Sequence, residues 1–98
     1  MDLVKVVVEI LGTFFFLSVI LQTLTDASIG PIAVAVTLLG AIYFGASTSG
    51  AHFNPAVSFA MFMKNKLDMN MLMTYVLAQL VGAAGAVKFN SFMFPRLM

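Results

Sequence analysis

The chain has no cysteine. That excludes a disulfide framework and a thiolate metal site. It has a single histidine, and metal sites built from protein side chains draw on several Cys and His ligands. No metal or cofactor is expected. Charge is scarce too: 9% of residues are charged, where soluble domains carry about 25%. The net charge is +1 and the charged residues do not cluster, so the basic stripe that a nucleic-acid surface needs is missing. Serines, the histidine and acids exist, but Asp2, Asp26 and Asp68 fall at predicted edges or loops. No nucleophile arrangement, phosphate loop or metal-ligand spacing appears, and catalysis is rejected.

Apolar residues are abundant: 61% of the chain, with a mean hydropathy of +1.04. The polar surface is too small to cover a water-facing domain, so the bilayer is the expected solvent. One domain is expected over residues 1–98. Apolar stretches run over about 3–24, 31–49 and 69–89. Each is read as a membrane crossing, which needs about 20 residues; the second is the shortest fit. Glu9 interrupts the front of the first stretch and further stretches follow, so it is read as a retained span, not a cleaved leader. Thr25, Asp26, Ser28, Gly30 and Pro31 form a turn before the second. Small residues recur every four positions, as Ala33, Thr37, Ala41 and Gly45, then as Ala78, Gly82 and Ala86. Such ridges let helices approach closely in lipid, within one bundle or across an oligomer contact.

Between the second and third stretches stands SGAHFNPAVSFA, residues 49–60. Asn54 is a good helix cap and Pro55 suits the next position, so a helix starts here. It continues to about Met63, before the wet connection of Lys64, Lys66 and Asp68. About ten residues make about 15 Å of helix, half of a hydrocarbon core of about 30 Å. The segment 47–63 is therefore expected to dip into the membrane and return. Residues 47–53 are small and Gly-containing and are expected to run extended. Unpaired backbone at membrane depth is tolerated only where it is buried or lines an aqueous cavity. The carbonyls of Gly50, Ala51 and His52 would then form an acceptor ladder. It leads to a donor point at Asn54, where the helix end adds partial positive charge. Such a site suits uncharged hydrogen-bonding molecules and repels cations. The competing reading of the same residues is a capped interfacial helix with no further role. The fold class is all-α: three transmembrane helices plus one re-entrant half-helix.

These residues resemble the first half-helix motif of the aquaporin and aquaglyceroporin family, S-G-x-H-x-N-P-A-V-T. Ser49, Gly50, His52, Asn54, Pro55, Ala56 and Val57 match it, and Ser58 replaces the Thr. EILGTFFFL, with Glu9, Gly12, Thr13 and Phe14, is similar to the family's first helix. YVLAQLVGAAGA, with Tyr75, Gln79, Gly82 and Gly85, is similar to its third. The resemblance implies that Asn54 orients the solute while the carbonyls of Gly50, Ala51 and His52 line the path. It implies that Glu9 is buried and accepts the loop's N–H groups, with Gln79 and Pro55 supporting the loop; an interfacial Glu9 and simple interhelical bonding by Gln79 are the alternatives. Gly12, Gly45, Gly82 and Gly85 would pack helices. Val34 falls where the family places a bulky aromatic of its outer filter, implying a wider or less polar constriction. The family fold is two inverted three-helix repeats. This chain shows one, and Val57 stands in the slot of the filter Arg.

The expected function is passive permeation of water or small neutral solutes such as glycerol, by a multi-pass integral membrane protein. One repeat would complete a pore as an antiparallel homodimer or a multiple of it. Lys5, Lys64 and Lys66 would lie on one side and Lys88 and Arg96 on the other, a weak bias that permits both orientations. Two alternatives belong to other classes. One is a non-conducting subunit, or a truncated channel that binds a full-length homologue. The other is a small proton-coupled multidrug exporter using Glu9.

Overall fold

Helices begin where capping residues stand. The computed structural model describes residues 2–98. The Asp2 carboxylate accepts from the Val4 and Lys5 N–H groups at 3.1 and 3.4 Å and opens α1 (Leu3–Gln22). Asn54 Oδ1 accepts from the Ala56 N–H at 2.8 Å and opens α3 (Pro55–Met63). Asp68 does the same for Met71 and opens α4 (Met69–Met93). α2 (Gly30–Gly45) instead carries Pro31 in its first turn. It is set up by Asp26, whose Oδ1 accepts from the Ile29 and Ser28 N–H groups and the Ser28 hydroxyl. The Ile29 N–H, foremost among these, holds the Asp26 carboxyl below its usual range. The chain closes with a 3-10 turn, Pro95–Leu97. Among the described residues there is no strand.

Two of these helices, α1 and α4, are long and apolar enough to cross a membrane. The second apolar stretch does not remain helical to residue 49. α2 stops at Gly45, whose carbonyl accepts from the N–H groups of Thr48, Ser49 and Gly50. That turn leaves 16 helical residues, about 24 Å. α4 runs four residues past the expected end at 89. Asn90, the first residue beyond that expected end, is fully buried. It accepts from Gln22 Nε2 at 2.7 Å and donates to Ser18 Oγ at 2.9 Å and the Ala86 carbonyl at 2.8 Å.

The direction of each helix follows from these contacts. Glu9 meets Gln79, Gly82 lies on Ile10 and Thr13, and Ser18 and Gln22 meet Asn90. Residue numbers rise together, so α1 and α4 run parallel. Gly30 lies by Thr23 and Gly45 by Val8, so α2 runs antiparallel to α1. The chain must therefore begin α4 at the end where α1 begins. α3 lies on that route. Asn54 and Pro55 share a cavity wall with Thr13, Phe16 and Leu17, near the middle of α1. Ser58, one turn on, bonds Gln79. α3 thus starts at mid-height and runs about 14 Å back toward the start of α4.

The distribution of side chains is inverted relative to a soluble domain. Glu9, Thr13, Ser18, Ser49, His52, Ser58, Gln79 and Asn90 are buried. Phe15, Ile32, Leu77, Tyr43 and Phe92 are exposed, the last two by more than four-fifths. The ridge Ala78, Gly82 and Ala86 is spent inside the molecule: all three are buried, and Gly82 lies on α1. On α2 the buried part of the ridge is Ala41 and Gly45.

Candidate functional site

The segment joining α2 to α3 is not extended. Gly50, Ala51 and Phe53 have φ of 90°, 54° and 54°. For Ala51 and Phe53 this left-handed backbone costs about 1–2 kcal/mol each, and something must hold it. That group is Glu9, which is 0% exposed. Its Oε1 accepts from the Phe53 N–H at 2.8 Å and from Gln79 Nε2 at 3.0 Å. Its Oε2 accepts from the Ser49 hydroxyl at 2.6 Å and the His52 N–H at 3.0 Å. All four partners are donors, which suits an acceptor-only carboxylate. A hydrogen bond to a charged acceptor contributes about 1.5–3 kcal/mol, enough to offset the backbone strain. Glu9 is therefore buried against the loop that it holds.

Further loop donors are also satisfied. The Ala51 N–H bonds Ser49 Oγ at 3.1 Å, and the Gly50 N–H bonds the Gly45 carbonyl. The Tyr75 hydroxyl donates to the Ser49 carbonyl. Gln79 spends both amide hydrogens, one on Glu9 and one on Ser58 Oγ at 2.9 Å. Ser58 Oγ is in turn 2.8 Å from His52 Nδ1, and the His52 ring lies 4.8 Å from the Tyr75 ring. By contrast, among the described residues the carbonyls of Gly50, Ala51 and His52 accept no hydrogen bond. Asn54 is exposed and uses only Oδ1, which leaves its NH2 available. The arrangement can present acceptors and one amide donor to a neutral molecule.

Phe53 ties this loop to the helices and was not singled out from the sequence. It is 2% exposed. A Cβ added at Gly12 would fall 2.1 Å from its ring, and one at Gly45 would fall 2.9 Å from it. Gly12 therefore makes room for a loop residue, and Gly45 makes room equally for that residue and for Val8 of α1, also at 2.9 Å. Gly82 does serve helix packing, since an added Cβ would lie 2.6 Å from the Ile10 carbonyl oxygen. Gly85 is looser, with Phe14 at 3.6 Å. Ser58 and the Asn90 cluster also went unread. Serine in a half-helix and polar residues near a helix end look alike whether buried or wet. Glu9, Gln79, Pro55, Gly50, Ala51, His52 and Asn54 come together. Val34 does not; it lines a separate cavity with Ile20, Thr23 and Gly30 near the α1–α2 turn.

The family model for Major intrinsic protein matches residues 5–97. The chain is similar to Probable aquaporin PIP1-5 of Arabidopsis thaliana, with 35% identity over 97 residues, covering 84% of this chain and 34% of that protein. It is similar to Aquaporin PIP1-2 of Zea mays, with 33% identity over 97 residues and the same coverage of each chain. Aquaporin-B of Dictyostelium discoideum is 36% identical over 84 residues, covering 76% of this chain and 29% of that protein. The chain thus spans about a third of the length of the curated relatives it matches. No solved structure matches it. The match over nearly all of the chain, on helices whose exposed faces are apolar and whose polar groups are turned inward, means that this chain belongs to the Major intrinsic protein family and is an integral membrane protein.

Proposed function

We propose that the chain forms one half of a passive path for water and small neutral solutes such as glycerol. In this reading residues 1–98 are one half-repeat: α1, α2 with the turn that follows it, and α4 cross the membrane, and α3 is re-entrant. The observation that carries the reading is the position of the loop. Free carbonyls at Gly50, Ala51 and His52 lead to the Asn54 amide beside the middle of α1. Backbone left unpaired at that depth implies a water-filled neighbour. The amino end of α3 repels cations there.

A half-helix of about 14 Å covers half of the hydrocarbon thickness. A second half-repeat, from an antiparallel copy or from a full-length homologue, completes the path. Lys5, Lys64 and Lys66 lie at one end of the parallel α1–α4 pair, and Lys88 and Arg96 at the other, a balance compatible with insertion both ways round. One alternative is a subunit that conducts only beside another channel chain. Proton-coupled export gains no support. Glu9 is buried and saturated by four donors, whereas such a residue must exchange protons with a substrate cavity.

The test is osmotic shrinkage of vesicles holding the purified chain. The proposal predicts faster water flux than in empty vesicles, and loss of that increment in Asn54→Asp, which replaces the donor by an acceptor. Rates equal to those of empty vesicles would refute a path formed by this chain alone. Flux restored by adding a full-length homologue, beyond that homologue's own, would then favour the subunit reading. Undiminished flux in Asn54→Asp would refute the role of the amide.

A further inference from the structure

We infer that Gln79 and Ser58 are positioning residues that hold His52 in one neutral tautomer, with its ring proton on Nε2. Three buried side chains form a line. Gln79 and Ser58 are 1% and 0% exposed, and His52 is 8% exposed. Gln79 Nε2 lies 2.9 Å from Ser58 Oγ, and Ser58 Oγ lies 2.8 Å from His52 Nδ1.

The first link has a fixed direction. Gln79 Nε2 also meets Glu9 Oε1 at 3.0 Å. Glu9 receives the Phe53 and His52 N–H groups and the Ser49 hydroxyl besides, as an acceptor-only carboxylate does. Turning the Gln79 amide over would set oxygen against that carboxylate. It would also move the NH2 to the buried place of Gln79 Oε1, where there is no partner, and orphan two donors in place of one acceptor. Gln79 therefore donates and Ser58 Oγ accepts.

The second link follows from the first. A hydroxyl has one hydrogen. Were His52 Nδ1 a donor as well, the Ser58 hydrogen would have no acceptor. The serine is closed to water, and Gln79 and His52 are the partners of its hydroxyl among the described residues. Leaving that hydrogen unpaired disfavours the Nδ1–H form about tenfold or more. Ser58 therefore donates to Nδ1, and the proton of the neutral ring sits on Nε2. Nε2 itself has no partner among the described residues. It is not one of the closed-off polar atoms, which are Thr13 Oγ1 and Gln79 Oε1, so it is open at the surface. A Cβ added at Gly50 would lie 3.3 Å from it. The ring edge beside Gly50 thus presents a hydrogen-bond donor, not a lone pair. Any role of that donor toward a solute rests on the proposed path, whereas the tautomer stands whether or not the chain conducts.

The chain has one histidine, so isotope-labelled histidine reports on this ring alone. The full chain, in lipid vesicles at neutral pH, is measured by magic-angle-spinning NMR, each ring nitrogen being identified through its bonded carbons. The expected spectrum shows a protonated Nε2 and an unprotonated Nδ1 that accepts a hydrogen bond. Ser58→Thr keeps the hydroxyl and retains both signals. Ser58→Ala moves the Nδ1 signal to that of a nitrogen without a donor, and the excess of the Nε2–H form over the Nδ1–H form falls about tenfold. Gln79→Met removes the amide donor, frees Ser58 to accept from the ring, and brings out the Nδ1–H form. A proton on Nδ1 in the parent chain, alone or together with one on Nε2, overturns the inference, and this measurement decides even where a variant fails to fold. A parent-like spectrum in folded Ser58→Ala overturns it as well.

Discussion

At the scale of single residues the candidate site depends on Glu9. One carboxylate satisfies two backbone donors of a left-handed loop and two side chains from different parts of the chain. Glu9→Gln keeps the volume but supplies one oxygen and one NH2. The NH2 would face a donor, and a buried N–H would lose its acceptor. The expected loss is about 3 kcal/mol, read as a lower unfolding midpoint in detergent titration. A change under about 0.5 kcal/mol would show that the loop is held some other way. Glu9 stood out in the sequence because a carboxylate inside an apolar stretch demands a partner. Phe53 gave no such signal. An apolar residue between His52 and Asn54 does not reveal that its ring fills the notches at Gly12 and Gly45. The left-handed backbone of Ala51 was equally hidden, since nothing local marks alanine for that conformation.

At the scale of elements, long apolar stretches and the Asn54-Pro55 cap located the four helices. Asn54-Pro55 opens α3 where its chemistry placed it, and Asp68, read only as part of a wet connection, is the cap of α4. Boundaries were harder to read when a polar residue was buried or a helix ended in apolar sequence. Asn90 does the first on α4, and the turn at 46–49 does the second after α2. The parallel packing of α1 on α4 depends on Gly82, and a pair of substitutions separates tight contact from loose. Gly82→Ala places a methyl 2.6 Å from the Ile10 carbonyl oxygen, which forces the helices apart and costs about 2 kcal/mol. Gly85→Ala places one 3.6 Å from the Phe14 ring, ordinary contact, and gains up to about 1 kcal/mol in helix propensity. Unfolding midpoints that move equally for both would contradict this packing.

At the scale of the whole molecule the polar groups face in and the large apolar ones face out. Composition announced that inversion, because 9% charged residues cannot clothe a domain in water. The short apolar segment after Asn54 already led to an expected dip and return, and the contacts set its start beside the middle of α1: Glu9 to the loop, Thr13 and Leu17 beside Asn54, Ser58 on Gln79. The central claim is that Asn54 lies near the middle of the bilayer and touches water. Because the chain has no cysteine, Asn54→Cys can carry a single nitroxide label in lipid vesicles. Its depth and its collisions with a water-soluble relaxation agent are then measured together. The account predicts a label about 15 Å from either edge of the hydrocarbon core, yet accessible to the water-soluble agent. A label at headgroup depth, or one at the centre that only lipid-soluble oxygen reaches, would contradict it.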